Sequence, residues 1–171
     1  MLIRVSEIPA EGLSIQGVDV LPEPFHDSSW RLLRLSLFVE KDDGDVFVRG
    51  RLEASVPQVC GRCLERFPLR VEPRIDARFA PKPQPGREDV ELASDDLEID
   101  FYADDMLNLA QFVETETTLE LPMKPLCRED CRGLCPVCGG NRNLVECACV
   151  VKPPDPRFAV LKNLAGRLPS K

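Results

Sequence analysis

The sequence has very little histidine and no long hydrophobic run. Its one histidine is His26, which excludes a site built on several histidines, such as that of many metalloproteases. No stretch approaches 18 consecutive apolar residues, so we expect no transmembrane helix. The first residues lack a basic segment followed by an apolar one, so we expect no export signal. Together these absences predict a cytoplasmic protein.

Cysteine, by contrast, is plentiful, with eight residues in a chain of 171. A reducing compartment favours metal ligation over a disulfide scaffold. The run Cys135-Pro-Val-Cys138-Gly139 is typical of a zinc knuckle, in which two thiolates face one ion and the glycine permits a tight turn. Eight thiolates would fill two tetrahedral zinc sites. A site of four cysteines leaves no open position for water, so we predict two structural Zn²⁺ ions and no enzymatic activity.

The spacing of the cysteines favours one partition into two sites. The later site would use the knuckle and the next two cysteines, which a returning loop can bring back: Cys135, Cys138, Cys147 and Cys149. The other site would join the two remaining pairs and pin a sheet hairpin to the segment after the helix: Cys60, Cys63, Cys127 and Cys131. The partition predicts a fold constraint as well as a metal count.

Other partitions stay open at this point. A ribbon could combine one of Cys127 and Cys131 with the 135–138 knuckle. Only one residue separates Cys147 from Cys149, so one of them could be a spare thiol. The earlier CxxC pair alone could be a redox motif, although it lies at a hairpin turn and not at the strand-to-helix junction of a thioredoxin-like fold.

Period-2 alternation predicts three antiparallel strands that form a meander with one buried and one solvated face. Pro73 indicates that the third strand is an edge strand or a bulged one, and the Cys60/Cys63 pair occupies the turn before it. The predicted apolar face carries Leu33, Leu35, Leu37, Val39, Val46, Val48, Leu52, Ala54, Val56, Leu69, Val71, Ile75, Ala77 and Phe79.

The rest of the chain predicts a linker and two helices. A proline-rich linker and an acidic run precede a short strand around Ile99. Asp104 or Asp105 then N-caps a helix that runs to about Glu120. Asp155 is a good N-cap for a short terminal helix, because proline follows it at the first helical position.

These elements predict an α+β fold. An antiparallel β-meander, as a small sheet or a partly closed barrel, is followed by a helix, a C-terminal zinc-ribbon-like segment and a short terminal helix. We expect residues 1–126 to form the sheet and helix core with its CxxC hairpin. Residues 127–171 form the cysteine-rich segment and terminal helix packed on that core, as one domain overall.

The charge of the chain bears on its partners. The formal net charge is −7, and two four-thiolate zinc sites of −2 each would make it −7 − 4 = −11. A generic nucleic-acid binder is usually basic, so this balance favours a basic protein partner docked on the acidic segment 88–105. Direct RNA binding would instead use arginines on the solvated sheet face, where bidentate geometry suits phosphate. The alternative is that this face binds no ligand and its arginines form cross-strand pairs with glutamates. The candidate arginines are Arg34, Arg49, Arg51, Arg70, Arg74 and Arg78.

Four segments resemble the bacterial YceD family of large ribosomal RNA subunit accumulation proteins. They are the run from Leu121 through the knuckle to Asn143, the Cys-Gly-Arg-Cys-Leu-Glu-Arg-Phe stretch at 60–67, the Glu-Ile-Asp strand, and Asp155-Pro-Arg-Phe-Ala-Val-Leu-Lys-Asn-Leu. The resemblance implies a non-enzymatic cytoplasmic factor for 23S ribosomal RNA accumulation and large-subunit biogenesis. Its partners would be ribosomal RNA, a large-subunit protein or an assembly factor, with no membrane and no small-molecule substrate.

The resemblance also bears on the ligands and leaves two competing functions. Cys60 and Cys63 map onto the family's CxxC pair, and Cys127 and Cys131 map onto further metal-capable positions. A zinc-ribbon regulator of transcription is the alternative function. A nuclease would need a metal-binding carboxylate cluster such as Asp95, Asp96 and Asp100, which lies far from any histidine.

Overall fold

The computed structural model describes residues 1–83 and 99–150. The chain forms two compact units. The first comprises Met1–Cys60 and Glu65–Cys127, and the second comprises Gly61–Leu64 and the chain from Arg128 onward. The predicted terminal helix after Asp155 lies outside the described residues, as does most of the acidic segment 88–105. The predicted division at residues 126 and 127 stays a prediction.

The first unit contains eight strands and one α-helix among its described residues. The strands are β1 (Leu2–Arg4), β2 (Leu13–Gln16), β3 (Arg31–Asp42), β4 (Asp45–Val59), β5 (Arg66–Val71), β6 (Arg74–Pro81), β7 (Ile99–Tyr102) and β8 (Met106–Asn108), and the helix is α1 (Leu109–Leu119). Short 3₁₀ turns cover Val5–Glu7 and Val18–Val20. This helix is not long and apolar enough to span a membrane.

Six of the strands form one mixed sheet with the order β2-β3-β4-β6-β7, in which β5 also pairs with β4. The predicted antiparallel meander is present, because β3 pairs with β4 and β4 pairs with both β5 and β6 in antiparallel fashion. Strand β7 departs from it by pairing parallel to β6. Strands β1 and β8 form a separate antiparallel pair.

The third predicted strand is divided at the position of its proline. Val71 ends β5 and Arg74 begins β6, so Glu72 and Pro73 separate two strands that both pair with β4. Proline has no N–H to donate to the ladder, so pairing stops at this point and resumes one residue later.

Leu33 corrects the predicted apolar face of β3. The pairing register with β4 shifts between Leu32 and Arg34, which is a β-bulge. The bulge changes which side of the sheet the alternating side chains reach. Leu32 therefore packs against the core and Leu33 is exposed, while Leu35 and Leu37 are buried as predicted.

The start of the helix was also predicted wrongly. Asp104 and Asp105 have φ angles of 53° and 59°, and they form a tight turn between Ala103 and Met106. Residues 106–108 then pair with β1, so the helix begins later, with the Asn108 side chain accepting a hydrogen bond from the Gln111 N–H. The aspartates therefore shape a turn, where positive φ suits them, and do not cap the helix.

The core of the first unit lies on one face of the sheet. Its centre includes Val39, Val48 and Val56, whose side chains are completely buried. Helix α1 contributes Leu109, Phe112 and Val113 to the same apolar cluster. The Phe112 ring packs edge-on against Phe79 of β6, with 5.1 Å between the centroids.

Candidate metal centres

The eight cysteines fall into two groups of four. In each group the four sulfur atoms all lie within 4.8 Å of one another. A tetrahedral site with Zn–S bonds of about 2.3 Å has sulfur atoms about 3.8 Å apart, so the donor type, number and separation all fit zinc. One group contains Cys60, Cys63, Cys127 and Cys131, and the other contains Cys135, Cys138, Cys147 and Cys149.

The structure therefore brings together the same sets that the spacing favoured. Cys147 and Cys149 both join the second group despite the single residue between them. Metal ligation by either group stays a prediction.

The second unit builds its four-cysteine group around a tight turn. A β-bridge joins Leu134 to Asn141, so the chain reverses between these residues. Inside the turn the Cys135 N–H donates to the Gly140 carbonyl at 2.8 Å, and the Gly139 N–H donates to the Cys135 carbonyl at 2.9 Å. The Val137 N–H points at the Cys135 sulfur, 3.5 Å away. This turn directs a backbone N–H toward a cysteine sulfur, which is the arrangement of a zinc knuckle.

The electrostatics of this group favour a bound cation. Backbone hydrogen bonds from Cys138 and Val137, with a contribution from the Cys147 thiol, lower the pKa of Cys135 to about 6. Its thiol neighbour Cys138 and burial raise the pKa of Cys149 to about 12. The first thiol thus ionises more readily than the last, whose neutral form is favoured by its hydrogen bond with Cys138 and by burial. A divalent cation bound to all four sulfur atoms would favour their ionised forms.

The earlier CxxC pair has the same backbone turn. The Cys60 N–H donates to the Glu65 carbonyl at 2.9 Å, as the Cys135 N–H does to Gly140. Leu64 has a φ of 61° at the position where the later turn has Gly139, with a φ of 71°. A leucine in the left-handed region is costly and uncommon. Sequence reasoning did not single out Leu64, because only its alignment with Gly139 reveals the shared turn.

Arg62 is a second residue that sequence reasoning missed. Within the second unit, one nitrogen of its guanidinium donates to the carbonyls of Glu129 and Cys131, at 3.0 Å each. Its own carbonyl accepts a hydrogen bond from the Leu134 N–H at 3.0 Å. Arg62 therefore fixes the backbone on which Cys131 stands. Its position between two cysteines was the available signal.

Asn143 contacts a cysteine sulfur directly. Its side-chain amide nitrogen lies 3.3 Å from the Cys131 sulfur. Its amide oxygen accepts from the Arg132 N–H and from the Arg128 guanidinium, at 2.8 Å each. Such outer hydrogen bonds orient metal ligands and stabilise thiolate charge. Nothing in the spacing of the cysteines pointed to Asn143.

Burial differs between the two groups. Cys60, Cys63 and Cys131 are buried, whereas Cys138 and Cys147 are exposed. The second group is therefore the more accessible to solvent, chelators and oxidants.

The six arginines proposed as an RNA or partner face are all exposed. Three of them form ion pairs: Arg49 with Glu40 at 2.5 Å and with Asp76 at 3.3 Å, Arg70 with Glu53 at 3.4 Å, and Arg78 with Asp45 at 2.5 Å. Such pairs are expected if these three arginines serve only to stabilise a solvated sheet face. The other three, which have no ion pair with any described residue, are Arg34, Arg51 and Arg74.

The carboxylates considered for a nuclease do not form a described site. Asp95 and Asp96 lie outside the described residues, and Asp100 lies in β7. The metal-capable groups found among the described residues consist of cysteines alone.

Comparison with known proteins gives one family and several relatives. Uncharacterized proteins of Mycobacterium bovis and Mycobacterium tuberculosis are each 34% identical to this chain over 142 residues, which is 79% of this chain and 63% of each relative. An uncharacterized protein of Mycobacterium leprae is 31% identical over 107 residues, 63% of this chain and 48% of the relative. The chain thus spans less than two thirds of the length of these relatives. No solved structure matches.

The family model described as "Large ribosomal RNA subunit accumulation protein YceD" matches residues 48–165. The match begins within β4 and includes both four-cysteine groups, so the residues that carry the resemblance also build the candidate metal centres. The chain belongs to the YceD family of large ribosomal RNA subunit accumulation proteins.

Proposed function

We propose that this protein is a cytoplasmic, non-enzymatic factor required for accumulation of 23S ribosomal RNA and for biogenesis of the large ribosomal subunit. The family match over residues 48–165 carries this proposal, because it suggests a role in accumulation of large-subunit RNA. Two structural Zn²⁺ ions hold the cysteine-rich parts of the protein in shape.

The ligand chemistry supports a structural role for the metal. Each group supplies four thiols, which would complete a tetrahedral shell around zinc and leave no position for a reactive water. Each zinc would be held by one CxxC turn and by a second cysteine pair, with Arg62 and Asn143 orienting Cys131 from outside. Zinc therefore acts as a cross-link, and the surface of the protein binds the ribosomal RNA or protein partner.

The central experiment is depletion of the protein in its own cell. Depletion should lower the ratio of 23S to 16S RNA, and the wild-type chain should restore it. A Cys135→Ser variant should fail to restore it, because the second site loses a ligand. A control Ser28→Ala variant, which changes an exposed residue outside both cysteine groups, should restore it. An unchanged RNA ratio on depletion would refute the proposed function.

A zinc-ribbon regulator of transcription is the competing function. Recovery of large-subunit RNA or ribosomal proteins with the tagged chain supports the biogenesis role. Recovery of RNA polymerase and promoter DNA without ribosomal material would favour the regulator. Incubation with labelled precursor RNA and Mg²⁺ completes the comparison: we expect no cleavage, and specific cleavage would contradict the non-enzymatic role.

A further inference from the structure

The outer face of the large sheet carries two kinds of arginine. Arg49, Arg70 and Arg78 lie in ion pairs, and the guanidinium groups of Arg49 and Arg78 also lie over the Phe47 ring, 5.4 and 6.0 Å from its centroid. These contacts account for their presence on a solvated sheet face. Within residues 1–83 and 99–150 no ion pair accounts for the second set, Arg34, Arg51 and Arg74.

The second set lines a single depression of about 590 Å³, which we call the arginine depression. Gly50 also lines it and presents no side chain. Ser36, Glu53 and Glu72 complete its polar lining.

The register of the strands shows how close these arginines are. Arg51 of β4 is directly opposite Arg74 of β6. In the backbone register Arg34 of β3 is opposite Glu53, so Arg51 is diagonal to Arg34. Directly opposite residues have Cβ atoms about 5 Å apart, and diagonal ones about 7–8 Å apart. Three arginines from three neighbouring strands therefore line one small area.

This convergence is unfavourable for the folded protein alone. Like charges directly opposite each other on a sheet destabilise it. The neighbouring Arg49 is opposite Asp76 in the same pair of strands, so the sheet accommodates a stabilising partner one step away. An anion bound between Arg51 and Arg74 converts the repulsion into two charge-assisted hydrogen-bonding contacts.

We propose that the arginine depression binds the phosphate backbone of RNA, an inference that rests on the proposed function and names its direct ligand. Arginine forks match phosphate oxygens in bidentate fashion. Glu53 in this lining is held by Arg70, whereas Glu72 is an acceptor that suits ribose 2′-hydroxyls and base amino groups. The family's connection to large ribosomal RNA favours RNA over an acidic protein as the polyanion that these arginines bind.

The test uses the full-length, zinc-loaded chain and a fluorescein-labelled 20-nucleotide RNA cut from 23S RNA. Fluorescence anisotropy at several salt concentrations gives the affinity and its salt slope. The test variant is Arg34→Gln with Arg51→Gln and Arg74→Gln. The matched control is Arg49→Gln with Arg70→Gln and Arg78→Gln, which removes the same charge from the same face. Zinc content and circular dichroism verify that each variant is folded.

We expect the test variant to lose at least tenfold in affinity, and its salt slope to fall by about 2, since each phosphate contact on single-stranded nucleic acid contributes about 0.7. The control should lose far less. If either triple variant fails to fold, the single substitutions take its place, with Arg51→Gln expected to weaken binding more than Arg49→Gln.

Three results would overturn the inference: equal losses in both variants, no loss in the test variant, or no binding of RNA by the wild-type chain. Binding of a labelled polyglutamate peptide in place of RNA would overturn it too. The depletion experiment is independent of these measurements. Unchanged RNA binding by the test variant, together with a lowered 23S-to-16S ratio on depletion, would therefore refute this inference and leave the proposed function standing.

Discussion

Replacement of Gly139 by alanine should weaken zinc binding at the second site, and the backbone conformation of Gly139 gives the size of the loss. Gly139 has a φ of 71°, and an added Cβ would meet no atom within 4 Å. The cost is therefore conformational and not steric, which is about 1–2 kcal/mol for an L residue in the left-handed region. Formation of such a site is coupled to folding of its loop, so this cost appears as a loss of zinc affinity of about 5–30-fold.

Competition with a chromophoric chelator measures this affinity. Gly140→Ala is the matched control, because the neighbouring glycine has no positive φ and an added Cβ would make only an ordinary contact with the Cys138 sulfur at 3.4 Å. It should change the affinity little. Leu64→Gly at the equivalent position of the first turn should keep or raise affinity there, because relief of the left-handed leucine offsets the greater flexibility of glycine. Equal zinc affinity for Gly139→Ala and Gly140→Ala would refute the assignment of this turn.

Three further predictions concern the ligand environment and the sheet. Asn143→Ala should weaken zinc binding at the first site by about 10–100-fold, the usual effect of an outer hydrogen bond, in the same chelator assay; unchanged affinity would contradict that role. Gly50→Ala should lower the free energy of unfolding by about 1–3 kcal/mol, because its Cβ would lie 2.1 Å from the Ser36 carbonyl oxygen. Denaturant titration measures this, and wild-type stability would contradict the close approach of the two strands. The hydrogen bond from the His26 backbone N–H lowers the pKa of Glu114, so its stabilising contribution is present above the unfolded-state pKa of about 4.3 and is lost as pH falls through the lower folded-state value. Glu114→Gln should remove that acid dependence, and acid denaturation curves identical to those of the wild type would contradict it.

The strands were predictable because half-buried sheets impose a period of two on the sequence. Val46 and Val48 are buried and alternate with less buried residues, as the pattern required, and the CxxC turn falls between β4 and β5 as predicted. The pattern failed where the backbone changes phase. A bulge next to Leu33 depends on how two strands pair, and that pairing is not encoded in the alternation of one strand.

The helix start failed for a related reason. Asp105 is a good N-cap in isolation, but its backbone and side chain bind the N-terminal segment at Val5 and Ser6. That contact joins residues about 100 positions apart, so no local signal announces it. The cysteine groups were accessible to reasoning because thiol count and spacing limit the combinations. Asn143 was not, because its role depends on a hydrogen bond formed only in the folded loop.

The measurement that tests the account most directly is the zinc content of the protein purified without oxygen. Mass spectrometry of the metal should give two zinc ions per chain, and Cys60→Ser should reduce the number to one while the second site keeps its ion. Zero or substoichiometric zinc in the wild-type chain would contradict the structural role of the metal. Loss of zinc from the second site in Cys60→Ser would contradict the grouping of the eight cysteines.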